Sequence, residues 1–185
     1  MARRRYVFTH LDIDPSKLAE LKEHLMASDY EHEKMLARTA KAGGLTGNQA
    51  EDINRVNELA RERDRKTKAL LGADDWAKLV NLTGEGLYRQ YIDTAFDAAM
   101  VDAGHPLTTE QGDLLARAFN VTIGSKNGWN QRIDGAKDID PATGFRPSDV
   151  ALIRQAETIL SEEQLKVFKN RLLDDNMMLI MRTRN

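Results

Sequence analysis

Few side chains in this sequence are equipped for chemistry. Four histidines, His10, His24, His32 and His105, are scattered through 185 residues, and there is no cysteine. The lack of cysteine excludes disulfides, thiolate catalysis and cysteine-ligated metal sites. No His-Glu-x-x-His, Gly-x-Ser-x-Gly or phosphate-loop pattern occurs, so the sequence offers no catalytic constellation and reads as non-enzymatic. His24 and His32 share one predicted helix. Eight residues is about two turns, which puts both imidazoles on similar faces but too far apart to hold one ion unaided. Asp29, Glu31 and Glu33 lie close in sequence. A zinc or copper sensor or buffer using His24 and His32, with ligands from another segment or subunit, is the alternative reading; the leading one needs no cofactor. Asp134, Asp138 and Asp140 invite a calcium reading, but the glycine and terminal glutamate of an EF-hand loop are missing.

The elements that must position these residues are helices. Asp14-Pro15 is a strong helix start. From there Leu18, Leu21, Leu25, Ser28, His32, Met35 and Thr39 follow at spacings of three and four, predicting a helix over about 15–42 that ends at Gly43-Gly44. A second helix carries Ile53, Val56, Ala60, Leu70 and Leu71, interrupted by the charged run Arg61 to Lys66, where Glu62 and Lys66 form an i, i+4 pair. A third carries Trp76, Leu79, Val80, Leu87, Tyr88, Tyr91, Ile92, Phe96 and Met100, with a kink or break expected at Thr83-Gly84-Glu85-Gly86 because each glycine costs about 1 kcal/mol of helix propensity. The fourth spans Thr109 to about Ile123, the fifth begins at Ser148-Asp149, and the sixth carries Leu165, Phe168, Leu172 and Leu179. Residues 124–147 read as a long loop containing Trp129, which suggests function or mobility. Arg3-Arg4-Arg5 reads as a solvated tail, and Met177-Met178-Leu179-Ile180-Met181 as the greasy end of a packed helix, with an adaptable interface or soft-metal ligation as the alternative.

Four stretches share a starting pattern. Leu107-Thr108-Thr109-Glu110-Gln111 is echoed by Leu45-Thr46-Gly47-Asn48-Gln49, Leu71-Gly72-Ala73-Asp74-Asp75 and Leu160-Ser161-Glu162-Glu163-Gln164. Each reads as a capping box: a helix cap followed three residues later by a side chain that reaches back to the cap amide. Leu45 and Leu71 stand 26 residues apart, and Leu107 and Leu160 stand 53 apart, so the second pair looks like the first with a loop inserted. The expected fold is all-α: extended helical hairpins forming a bundle of about six helices. It is read as a single domain over 1–185 with two related halves, about 15–104 and 105–185.

Paired Leu-Thr-x-x-Gln starts resemble the small bacterial envelope proteins of the Spy and CpxP type and their metal-resistance relatives. Residues Leu107, Thr108 and Gln111 match the motif in full, as do Leu45, Thr46 and Gln49; Leu160, Ser161 and Gln164 differ by serine for threonine. The resemblance implies an all-helical, often dimeric periplasmic protein that binds an unfolded client or a signalling partner, or in some relatives a metal ion. This chain is longer and is not basic. Its start has positive charge but too few apolar residues for a secretory signal, so the expected compartment is the periplasm if a signal peptide was removed and otherwise the cytoplasm, where it would be a helical scaffold.

Composition narrows the partners. A net charge of −2 argues against nucleic-acid binding, which needs a basic field. No apolar run approaches the roughly 20 residues that span a bilayer, which argues against membrane insertion. With 30% charged and 6% aromatic residues, the chain favours helix over sheet. A protein partner remains, with homodimerisation implied only by the resemblance.

Overall fold

Every regular element among the described residues is a helix, in the computed structural model that covers residues 2–41, 49–124 and 135–183. In chain order these are α1 (Ala2–His10), α2 (Pro15–Lys41), α3 (Gln49–Leu71), α4 (Ala73–Ile92), a π-helical turn (Asp93–Asp97), α5 (Ala98–Asp102), α6 (Thr109–Thr122), a short 3₁₀ turn (Ala136–Asp138), α7 (Pro147–Ala156) and α8 (Glu162–Thr183). The all-α bundle is as the sequence led one to expect. With α4, the π turn and α5 forming one continuous helix, the number of helices is close to the expected six. Leu45, Thr46, Gly43-Gly44, Trp129 and Asp134 lie outside the described residues, as do the side chains of Thr39, Gln49 and Ile53.

Two compact units emerge, one formed by His10–Val80 and the other by Met1–Thr9 with Asn81–Asn185. Their boundary falls inside α4, whereas the repeat spacing suggested halves meeting near 104–105. In the first unit, α2 starts as Asp14 and Pro15 dictate: the Asp14 carboxylate accepts from the Ser16 amide at 2.8 Å and the Lys17 amide at 3.4 Å. These bonds, with that from the Ser16 hydroxyl first in weight, hold the Asp14 carboxyl below its ordinary range. The predicted face is the one that packs. Leu18, Leu21, Leu25, Ser28, His32 and Met35 are buried or half-buried while their neighbours Glu20, Lys22, Met26 and Glu33 are exposed. Antiparallel pairing of α2 with α3 is fixed by two contacts, Lys17 Nζ donating to the Leu71 carbonyl at 3.5 Å and His24 Nε2 lying 3.4 Å from the Arg63 carbonyl. The charged run is solvated where expected, with Lys66 and Glu62 bridged at 2.8 Å. The α3 stripe nevertheless continues through it by way of the buried Thr67, whose hydroxyl donates to the Arg63 carbonyl.

The echo at Leu71 to Asp75 does not form a capping box. Gly72 has no side chain to cap with and instead ends α3 in the left-handed conformation at φ 82°, its amide bonding to the Lys68 carbonyl. Asp75 turns to Lys78 at 2.9 Å and Lys17 at 3.6 Å.

The second unit holds the main core. Phe96, Phe119 and Phe168 are fully buried and mutually in contact, with Phe96 stacked on Phe168 at 4.8 Å between ring centroids. Leu115, Leu152 and Leu172 close around them. Burial of each such side chain contributes about 1.5–3 kcal/mol. The glycine pair does not break α4, contrary to expectation. A methyl group on Gly84 would press on the end of the Asn120 side chain of α6, which would have to give way, and the helix runs on through both glycines. The irregularity falls instead at Asp93–Asp97. Ile92, Phe96 and Met100 are all fully buried although each step of four residues overshoots a 3.6-residue turn, and the wider π turn takes up the excess. Val80, assigned to the apolar stripe of the third predicted helix, is exposed. The arginine-rich start is helical and not a tail: it opens α1, in which Arg5 is exposed while Tyr6 and Val7 are buried. Among the described residues, no helix is long and apolar enough to cross a membrane.

Candidate functional site

The two downstream motif copies meet in space. Each forms a complete capping box: the Gln111 amide donates to Thr108 Oγ1 at 3.1 Å and Gln111 Oε1 accepts from the Thr108 amide at 3.0 Å, while the Gln164 amide donates to Ser161 Oγ at 3.2 Å and Gln164 Oε1 accepts from the Ser161 amide at 3.0 Å. The remaining Nε2 groups cross over. Gln111 Nε2 donates to the Ile159 carbonyl at 3.1 Å and to Gln164 Oε1 at 2.9 Å; Gln164 Nε2 donates to the Pro106 carbonyl at 3.0 Å and to Gln111 Oε1 at 3.2 Å. Each amide thus reaches the carbonyl two residues before the other helix's cap, a local two-fold arrangement. Leu160 is buried, and Leu107 and Leu165 pack against the core. These residues clasp α6 to α8. Their polar atoms are committed to one another, and the clasp is structural in what it does.

His24 and His32 line one groove of about 340 Å³ between α2 and α3, together with Asp29, Glu31, Glu62 and Lys66. Among the described residues, no three His, Asp or Glu side chains gather as metal ligands. His24 faces the Arg63 carbonyl, and both charge signs line the groove. Asp138 and Asp140 serve their own loop: Asp138 Oδ2 accepts from the Gly135 amide at 2.7 Å and Asp140 Oδ1 from the Ala142 amide at 2.9 Å.

Two buried polar clusters escaped sequence reasoning. In the first, Glu85 accepts from the Tyr6 hydroxyl at 3.1 Å and Asn81 Nδ2 at 2.7 Å, with Arg117 Nε 3.6 Å away. Burial first, then the Glu85 charge, push the Tyr6 hydroxyl well above its ordinary pKa. In the second, the fully buried Arg146 and Asp149 pair through Nε at 3.1 Å and Nη2 at 3.2 Å. Asn176 of α8 locks the pair in place, donating to Asp149 Oδ2 at 2.7 Å and to the Gly144 carbonyl at 2.9 Å. The available signal was the four-residue line Gln164, Phe168, Leu172, Asn176, all buried, which carries the polar Asn176 onto the inner face of α8.

That lock sets the exposure of the next turn of α8. With Asn176 held inward, Met177, Met178 and Met181 are 59%, 48% and 49% exposed. They line a groove of about 760 Å³ whose walls include Leu179, Arg146, Arg171 and Arg182. Asp174 and Asp175 line it too, Asp175 bridged to Arg171 at 3.0 Å and accepting from the Tyr91 hydroxyl at 2.7 Å. Paired charges leave the wall without a strong field of either sign. Flexible, polarisable thioethers conform to apolar surfaces of varied shape. The arrangement therefore suits reversible contact with apolar groups.

No protein-family model, curated protein or solved structure matches the chain. The functional reading accordingly rests on the geometry and on the motif resemblance.

Proposed function

We propose that this chain is a non-catalytic helical interaction module that holds apolar segments of unfolded protein against the methionine-lined groove of α8. One observation carries the reading: three methionines within five residues are about half exposed around a groove of about 760 Å³, next to an anchored helix turn. Exposed apolar groups gathered around a concavity in this way favour an interaction surface. The Leu-Thr-x-x-Gln resemblance supports the same class and implies a periplasmic, often dimeric setting. The balanced charge of the wall favours apolar rather than nucleic-acid partners.

The test is aggregation of reduced, unfolded α-lactalbumin followed by light scattering, without nucleotide. Addition of the protein is expected to suppress scattering, and Met177→Ser with Met181→Ser to reduce that protection while leaving helicity unchanged. If several-fold molar excess at low salt gives no suppression, the reading is wrong.

A further inference from the structure

The chain has no cysteine, so its thioethers are the sulfur groups available to a two-electron oxidant. Their exposure differs from one to the next, with Met35 half-buried. Met100 is 0% exposed in the aromatic core, whereas Met177, Met178 and Met181 are all near half exposed and line one groove. Met26 is also exposed, at 69%, but stands on α2 in the other unit. Spacing adds to this: Met177 and Met181 are one helical turn apart and lie on the same face.

We propose that Met177, Met178 and Met181 form an oxidation site whose conversion to sulfoxide switches off docking in the groove. The proposal rests on the docking reading above. A thioether sulfur lone pair attacks one oxygen of hydrogen peroxide; the S–O bond forms, the O–O bond breaks, and water leaves after proton transfer. Sulfur is oxidised by two electrons and the peroxide is reduced. Each event replaces an adaptable apolar side chain with a polar, chiral one, and methionine sulfoxide reductases reverse it. The sulfoxide oxygen accepts hydrogen bonds, and Arg182 on the same wall is a donor at hand. The surface that suited an apolar segment becomes a hydrated one. Because the sulfurs lie outside the core, the fold survives the change.

The experiment treats the intact protein with hydrogen peroxide, maps sulfoxides by peptide mass spectrometry, and follows circular dichroism and protection of reduced α-lactalbumin. Met177, Met178 and Met181 should oxidise well before Met100, helicity should persist, and protection should fall about tenfold. Reductases acting on both sulfoxide epimers should restore it. A triple variant, Met177→Leu, Met178→Leu and Met181→Leu, keeps apolar volume and should protect equally with or without peroxide. Met26→Leu should leave the peroxide response intact. Met100 oxidising as fast as the cluster overturns the site, and full protection by the oxidised protein overturns the switch. Absence of protection before oxidation overturns the docking reading and the switch with it, a result distinct from the other two.

Discussion

Glutamine stands at the third helical position of both clasped motifs because each side chain has two jobs. A capping box needs only an acceptor there, which glutamate supplies equally well. The cross-over also needs a donor, and Nε2 provides it to the Pro106 or Ile159 carbonyl. Gln164→Glu should therefore keep the local cap, yet set a carboxylate against the Pro106 carbonyl and Gln111 Oε1. A cost of about 2–3 kcal/mol is expected in urea unfolding, against about 1 kcal/mol for Thr108→Ala; equal costs would reduce the clasp to two independent caps. The buried Arg146–Asp149 pair should be less forgiving still. Asp149→Ala strands a buried guanidinium and is expected to cost about 3–5 kcal/mol by the same measurement. Tyr6 makes a prediction about pH. Its pKa in the folded protein is raised above the ordinary 10.0, so the folded state holds the proton more tightly than the unfolded chain does. That contribution is intact below pH 10 and is lost as pH climbs through the folded value. Stability of the native protein should fall more steeply above about pH 10 than that of Tyr6→Phe; parallel curves would show that the hydroxyl is not held as described. Caps were legible because they are local chemistry. The partners of Gln111, Arg146 and Tyr6 were not, because they are set by tertiary packing.

At the scale of the helix, Gly84 tests whether packing or propensity rules. Alanine improves helix propensity by about 1 kcal/mol, yet its methyl group would press on the end of the Asn120 side chain, whose Nδ2 is held by Asn81 Oδ1 at 2.9 Å. Gly84→Ala should destabilise the protein, and Asn120→Ala in the same chain should recover part of the loss, giving a coupling energy of about 1 kcal/mol in a double-mutant cycle. Additive effects would mean that the close approach has no energetic weight. The same competition explains why sequence and structure part company here. Two glycines look like a break because propensity is all that a sequence window contains, and the π turn is invisible there because burial of Ile92, Phe96 and Met100 creates the need for it. Helix α1 is hidden because three arginines mask a segment with just Tyr6 and Val7 to bury. The inner face of α2 is legible from Leu18 to Met35, since its three-and-four spacing survives interruption by Ser28 and His32.

For the whole molecule, the two units differ in what holds them. The one formed by His10–Val80 buries Leu11, Leu21, Thr67, Leu71 and Leu79, whereas the other has a contiguous cluster around three phenylalanines. Hydrogen exchange in increasing urea is expected to expose amides of α2 and α3 before those of α6 and α8; release of all four helices together would show a single cooperative unit. The division itself was not legible from repeat spacing, because it depends on which side chains meet and not on where motifs recur. It has a consequence in time. Tyr6 must wait for Glu85, 79 residues further along the chain. At roughly 5–20 residues per second, a ribosome takes about 4–16 s to make that stretch. Helices α2 and α3 can pair while α1 idles, so α1 docks only after that hairpin has been made, although it lies ahead of it in the chain.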